Sequence, residues 1–270
     1  MNVKRNIFLF ILAILFFLLL LLSCDTDDCI IDNWTLVWND EFNGTFLDST
    51  KWNILEGIFG SYKQLYLSEN ISVQNGCLII KSEEKDYTVD GIDIYYSSGF
   101  VHTKEIFSQA FGRFEVRAKL PSTKGIWPAI WLLAESHDEI ATTPYEIDIM
   151  EMVGPDTDTI YMTNHFSDKN GASQSNGGTF TGPDFSLDFH TFVIEWGEGV
   201  IRWYIDDQLC FTSTIGVPNI PQFIILNTQV GDNWLGIEPD ESSEFPQYYL
   251  IDYVRVYKKN LVTWLESVTE

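Results

Sequence analysis

The chain reads as an all-β protein, a two-sheet antiparallel β-sandwich, on three grounds. Apolar and polar residues alternate with period two in several separate stretches, as strands with one buried face require. Turn signals separate those short stretches, the spacing expected of a sandwich. Aromatic residues make up 15% of the chain, with 9 Trp, 12 Tyr and 19 Phe, and such rings favour strands. No internal repeat and no Gly/Ser or Pro linker divides the 270 residues, so one domain with a substantial core is expected over residues 34–258.

Residues 1–23 read as an address. Lys4 and Arg5 precede an unbroken apolar run over residues 7–22, the length of a signal h-region and shorter than the ~20 residues of a spanning helix. The run ends in Leu21-Leu22-Ser23-Cys24, which resembles a bacterial lipobox. Cleavage before Cys24 would leave that cysteine to carry lipid and so hold the protein to a membrane. Residues 24–33, with Asp25, Asp27 and Asp28, would then form an acidic tether, as on a surface-exposed outer-membrane lipoprotein. An uncleaved anchor is the competing reading, and it too places the domain outside the cytoplasm. With Cys24 lipidated, Cys29, Cys77 and Cys210 can form at most one disulfide, and their spacing is not that of a zinc site.

The strands follow in order. Cys77 opens the apolar run Cys77-Leu78-Ile79-Ile80 and is expected to be a small buried side chain. Phe114, Val116, Ala118 and Leu120 alternate with Arg113, Glu115, Arg117 and Lys119. Residues 126–133 read as a strand in which Trp127 and Trp131, four apart, share a face. Ile201, Trp203 and Ile205 alternate with Arg202, Tyr204 and Asp206, and Asp206-Asp207 reads as a hairpin turn. Near the end, Leu250, Asp252, Val254 and Val256 oppose Ile251, Tyr253, Arg255 and Tyr257. In the tail, residues 259–270, the residues Leu261, Trp264, Leu265 and Val268 have helical spacing and predict a short helix packed on the outside.

Charge narrows the partners. A net charge of −23 argues against nucleic acid, which needs basic patches, and disfavours a densely sulfated polymer. A neutral polysaccharide fits better, taken by a monomer.

The chemistry concentrates in Glu146-Ile147-Asp148-Ile149-Met150-Glu151. Like charges this close cost energy unless they share protons or bind something. On a strand Glu146 and Asp148 share one face while Ile147 and Ile149 point into a core. Glu151 lies at an odd offset, and a β-bulge near Ile149 or Met150 would return it to the face of Glu146. Glycoside hydrolysis needs such a set, one carboxyl protonating the leaving oxygen while another attacks or stabilises the sugar. An exposed acidic strand is the bland alternative.

The flanking blocks decide between them. Gly112-Arg113-Phe114-Glu115-Val116-Arg117 and Gly125-Ile126-Trp127-Pro128-Ala129-Ile130-Trp131 lie upstream of the motif. Phe189-His190-Thr191-Phe192, Ile225-Leu226-Asn227, Val230-Gly231-Asp232-Asn233-Trp234 and Asp252-Tyr253-Val254-Arg255 lie downstream. In kind and order they resemble glycoside hydrolase family 16, in its laminarinase-like branch with the bulged Glu-x-Asp-x-x-Glu motif. The resemblance implies a β-jelly roll whose concave sheet carries the substrate-binding cleft. It makes Glu146 the nucleophile of a retaining mechanism, Glu151 the general acid and later base, and Asp148 the partner tuning the nucleophile. Catalysis would need no cofactor. It places His165 and Asn227 in the cleft and Trp127 and Trp131 under sugar rings, with core packing as their alternative. Glu115 and Arg117, on the polar face of their strand, are candidates to bind sugar hydroxyls. A structural calcium ion is implied at Glu41, Gly76 and Asp252, where Asp252 would point among apolar neighbours and need a partner. The alternative for Asp252 is an arginine or backbone amides.

The expected activity is endo-hydrolysis of a β-glucan, with 1,3 or mixed 1,3/1,4 linkages. One departure bears on this. Where the branch carries Asn-Asn-Glu-Leu-Gln before Tyr-Tyr-Thr, this chain reads Ser61-Tyr62-Lys63-Gln64-Leu65-Tyr66-Leu67-Ser68. Trp is also absent between His165 and Phe189. Both changes admit a second substrate class, a β-galactan or galactose-containing host glycan of poly-N-acetyllactosamine type. A non-catalytic sugar-binding lipoprotein is the reading from another class, disfavoured because all three acids are intact.

Overall fold

The structure is a computed structural model that describes residues 33–59, 63–135 and 145–260. Its first strands are β1 (Trp34–Asp40), β2 (Asn53–Ile54), β3 (Gln64–Tyr66), β4 (Ile71–Gln74), β5 (Cys77–Val89), β6 (Ile92–Ser98), β7 (Phe100–His102), β8 (Gly112–Lys119) and β9 (Ile126–Ala134). Then come β10 (Glu146–Glu151), β11 (Thr159–Ser167), β12 (Ser173–Thr181), β13 (His190–Gly197), β14 (Val200–Ile205), β15 (Gln208–Ser213), β16 (Gln222–Val230) and β17 (Gln247–Lys259).

They form two stacked sheets, a jelly-roll sandwich. A ten-stranded sheet runs β15-β14-β13-β8-β17-β5-β6-β3, with β1 paired to β17 and β4 to β5. A seven-stranded sheet runs β12-β11-β10-β9-β16-β7-β2. Period-two alternation builds the layer between them. Phe114, Val116 and Ala118 of β8, Ile201, Trp203 and Ile205 of β14, and Ile147, Ile149 and Met150 of β10 join one core cluster. Most are fully buried, each large apolar side chain contributing about 1.5–3 kcal/mol by leaving water. A second, smaller cluster of Tyr66, Phe100, Leu133, Phe223 and Ile225 lies apart from that core.

Two expectations change. The register of β17 against β8 shifts between Ile251 and Tyr253, so Ile251, Val254 and Val256 enter the core while Asp252 is half-buried outside it. Asp252 does not point among apolar neighbours; Arg117 pairs with it at 2.5 Å. Cys77 is half-buried rather than enclosed, and Cys77 and Cys210 are both free thiols. The signal segment, Cys24, Cys29 and the helix expected after Asn260 lie outside the described residues.

Candidate active site

Strand β10 presents the acids as its odd spacing requires. Opposite β11 its register shifts between Asp148 and Glu151, and opposite β9 between Asp148 and Met150. This bulge buries Ile149 and Met150 in succession, and it returns Glu151 to the wall that already holds Glu146 and Asp148. A bulge strands a backbone carbonyl, and here the opposite sheet satisfies it. The Trp203 indole, wholly buried, donates to the Asp148 carbonyl oxygen at 2.8 Å. The alternation of β14 revealed Trp203 only as a core residue; its bond spans 55 residues of sequence.

The acids line a hollow of about 180 Å³ with Phe59, Tyr66, Trp127, Ala129, Trp131, Asn227 and Gln229. Trp127 and Trp131 are both in its wall, and each indole also holds a polar neighbour. Trp127 Nε1 donates to Glu151 Oε1 at 3.0 Å, and Trp131 Nε1 donates to Asn227 Oδ1 at 2.7 Å. His165, opposite Glu146 across the β10–β11 ladder, sets its Nε2 at 3.0 Å from Asp148 Oδ2 and 3.8 Å from Glu146 Oε1. Trp127, Trp131 and Asn227 thus line the hollow, and His165 stands beside the acids without lining it. Phe59, Gln229 and Tyr66 were missed: strand pairing brings Gln229 and Tyr66 to the hollow, Phe59 reaches it from the segment after β2, and none belongs to a local pattern.

The electrostatics separate the carboxyls by role. Burial raises the Asp148 carboxyl well above the usual carboxylate range, and the adjacent Glu146, to which it hydrogen-bonds, raises it further. Glu151 is also held well above its ordinary value, first by burial and then by the charge of Asp148, against the opposing pull of the Trp127 hydrogen bond. Glu151 thus keeps a proton to give. Asp148 and Glu146 form a hydrogen-bonded acid pair, and the raised carboxyl of Asp148 favours one proton between the two.

Glu115 and Arg117 are corrections. Strand β8 belongs to the ten-stranded sheet, between β13 and β17. Glu115 is buried there, accepting from Arg113 Nη2 at 2.7 Å and from the Tyr253 hydroxyl at 2.8 Å. Arg117 pairs with Asp252. Neither lines the hollow. Their polar face looks outward because the apolar face of β8 is the core face. A larger groove, about 440 Å³, also lies on that sheet. Its Glu195 is already paired with Arg113 at 3.2 Å, and it holds no cluster of acids like that of β10.

The expected calcium set does not fit either. Arg255 forks onto Glu41, with Nε and Nη2 each 2.8 Å from a carboxylate oxygen, and Arg117 occupies Asp252. A guanidinium on each carboxylate repels a cation, so these side chains do not form a shared cage around one ion. Among the described residues, only Glu146, Asp148 and His165 bring three such ligand groups together.

Comparison with known proteins agrees with this geometry. Residues 60–255 match the glycosyl hydrolases family 16. The chain is 34% identical over 267 residues to glucan endo-1,3-beta-glucosidase A1 of Niallia circulans, covering 86% of this chain but only 39% of that protein. Among solved structures it is similar to the catalytic domain of an endo-1,3-beta-glucanase (laminarinase) from Thermotoga petrophila, with a TM-score of 0.76 and 39% identity. That likeness covers 84% of this chain and 99% of the other. A structure from work on endo-acting O-glycanases of the human gut microbiota that initiate mucin breakdown gives a TM-score of 0.77 at 33% identity, covering 85% and 92%. With its acids on a bulged strand of the seven-stranded sheet, the chain belongs to glycosyl hydrolases family 16.

Proposed function

We propose that this protein is an endo-acting, retaining β-glucanase of laminarinase type. The single observation that carries the reading is the bulge in β10, which sets Glu146, Asp148 and a proton-bearing Glu151 on one cleft wall. The Glu146 carboxylate attacks the anomeric carbon as the proton of Glu151 passes to the departing glycosidic oxygen, leaving a glycosyl ester on Glu146. Glu151, now a carboxylate, takes a proton from water as that water attacks the same carbon and frees Glu146. Asp148, hydrogen-bonded to Glu146 and to His165, steadies the nucleophile's charge through both steps. The glucan substrate is inferred from the Niallia circulans relative and the Thermotoga petrophila structure.

A galactose-containing host glycan is the second reading, favoured by the likeness to the mucin-related structure and by the altered segment around Lys63. Lys63 is engaged by Asp232 at 3.0 Å and Glu238 at 2.8 Å, so its charge is drawn toward the loop after β16. Reducing-sugar release from laminarin, lichenan, agarose and mucin glycans separates the readings. Release from laminarin or lichenan supports the glucanase; release from mucin glycans alone replaces it with the second. The first-formed product should carry a β-anomer, and an initial α-anomer would exclude double displacement.

The proposal extends to location. Leu21-Leu22-Ser23-Cys24 and the aspartates after it support a lipid anchor on Cys24 at the surface of a bacterial outer membrane. Cys24→Ala should block lipid attachment and release the protein from membranes; unchanged membrane fractionation would contradict it.

A further inference from the structure

The hydroxyl of Tyr66 lies at the centre of a chain of buried amides. Gln64 Nε2 donates to it at 2.7 Å and Asn227 Nδ2 donates to it at 3.2 Å. The direction of both bonds is fixed independently. The Asn227 oxygen accepts from the Trp131 indole, which can only donate. The Gln64 oxygen accepts from the Val230 backbone N–H, also a pure donor. Both amide NH₂ groups must therefore face Tyr66, and neither side chain can be flipped without setting donor against donor. A phenol oxygen accepts two hydrogen bonds and donates one. Its two acceptor sites are taken, and no described residue accepts its hydrogen.

That hydrogen is not idle surface chemistry. Tyr66 is 1% exposed, and a donor so enclosed is costly to leave unspent. Burial also raises its pKa, so the phenol keeps its hydrogen. Its ring is clamped edge-on against Phe100, 5.3 Å between centroids, and it forms part of the wall shared with Glu146, Asp148 and Glu151. An acceptor can be supplied from the cleft, where a bound glycan presents hydroxyl and ring oxygens.

We infer that Tyr66 is a substrate-binding residue whose hydroxyl donates a hydrogen bond to one oxygen of the glycan in the cleft, its direction enforced by Gln64 and Asn227. The inference rests on the glycan-hydrolase reading. It makes Tyr66 a specificity determinant, because a site built to donate to one sugar oxygen discriminates against a sugar lacking it.

The test pairs Tyr66→Phe with monodeoxy analogues of whichever oligosaccharide the wild type cleaves. On the parent sugar Tyr66→Phe should lower kcat/KM roughly 3- to 10-fold, the worth of one neutral hydrogen bond. On one analogue, lacking the partner oxygen, the two enzymes should cleave at nearly equal rates. An equal Tyr66→Phe penalty on every analogue would reduce Tyr66 to a structural prop and overturn the inference. Should Tyr66→Phe fail to fold, a crystal structure of Glu146→Gln with bound oligosaccharide gives the answer. A sugar oxygen within 3.2 Å of Tyr66 Oη supports the inference, in line with ordinary hydrogen-bond lengths, and a water or empty space there overturns it. If the wild type cleaves no glycan at all, the hydrolase reading fails first and takes this inference with it.

Discussion

The two sheets use the same residue type in opposite ways. On the ten-stranded side Glu41, Glu115, Glu195 and Asp252 each meet an arginine. On the seven-stranded side Glu146, Asp148 and Glu151 meet a histidine, an indole and one another. The consequences have opposite sign. The Arg255 guanidinium holds Glu41 below its ordinary pKa, whereas burial and neighbouring carboxyls hold Asp148 and Glu151 well above theirs. An acid beside a cation contributes to stability; an acid crowded by acids in a dry wall destabilises the fold and gains reactivity. The protein tolerates that strain on one strand, where chemistry needs it.

Variants can break this comparison or sharpen it. The largest effect should come from Glu146→Gln, which keeps shape but cannot attack a sugar carbon. We expect turnover to fall about 10⁴-fold or more while oligosaccharide binding survives in calorimetry. Retention of more than a few per cent of the wild-type rate would reassign the nucleophile.

Next comes Glu151→Gln, expected to slow natural substrates about 10²- to 10⁴-fold yet spare the first step on aryl glycosides with good leaving groups. It also tests the strain. Folded Glu151 holds its proton at pH values where the unfolded chain has lost it, so wild-type stability falls as pH rises above the ordinary carboxyl range. Gln escapes that loss. Glu151→Gln should therefore melt higher than wild type at neutral pH, and the gap should close on acidification below about pH 4. A lower midpoint at neutral pH would show that the carboxyl is not strained.

On the other sheet the sign reverses. Arg113→Met strands buried Glu115 without its guanidinium and should cost about 3–5 kcal/mol. Calorimetry reads that cost, and kcat per folded molecule should not change, since β8 does not line the cleft. A specific loss of kcat would return Glu115 to the site.

The smallest effect belongs to Glu41→Gln. Loss of its half-exposed pair with Arg255 should cost about 0.2–1 kcal/mol at neutral pH. Because the folded pKa is lowered, the difference should vanish as pH falls through it; the Glu151→Gln gap also closes on acidification, but there the variant is the more stable protein and here it is the less stable one. With Glu41 and Asp252 both held by arginines, calcium and a chelator should give the same wild-type midpoint. A rise with calcium would mean that the ion displaces an arginine.

Much of this could be read along the chain, because the relevant physics is local. Side chains alternate with period two on any strand, so the core faces of β8, β10 and β14 follow from Phe114, Ile147 and Ile201 and their neighbours. The odd offset from Glu146 to Glu151 even placed a bulge where the ladder now shows one. Alternation yields two faces, however, and does not say what the polar one looks at. Glu115 and Arg117 were assigned to sugar, and only the pairing of β8 with β13 and β17 turned them outward. A bulge without a functional motif to announce it moved Asp252 from the core to Arg117 in the same way. The bonds that orient Tyr66 and Gln64 span 161 and 166 residues of sequence. Local pattern therefore determined which residues are strands, core and acids. The direction of a polar face, and of a single phenol hydrogen, was decided only when distant strands came together, since hydrogen bonds depend on where partners lie in space.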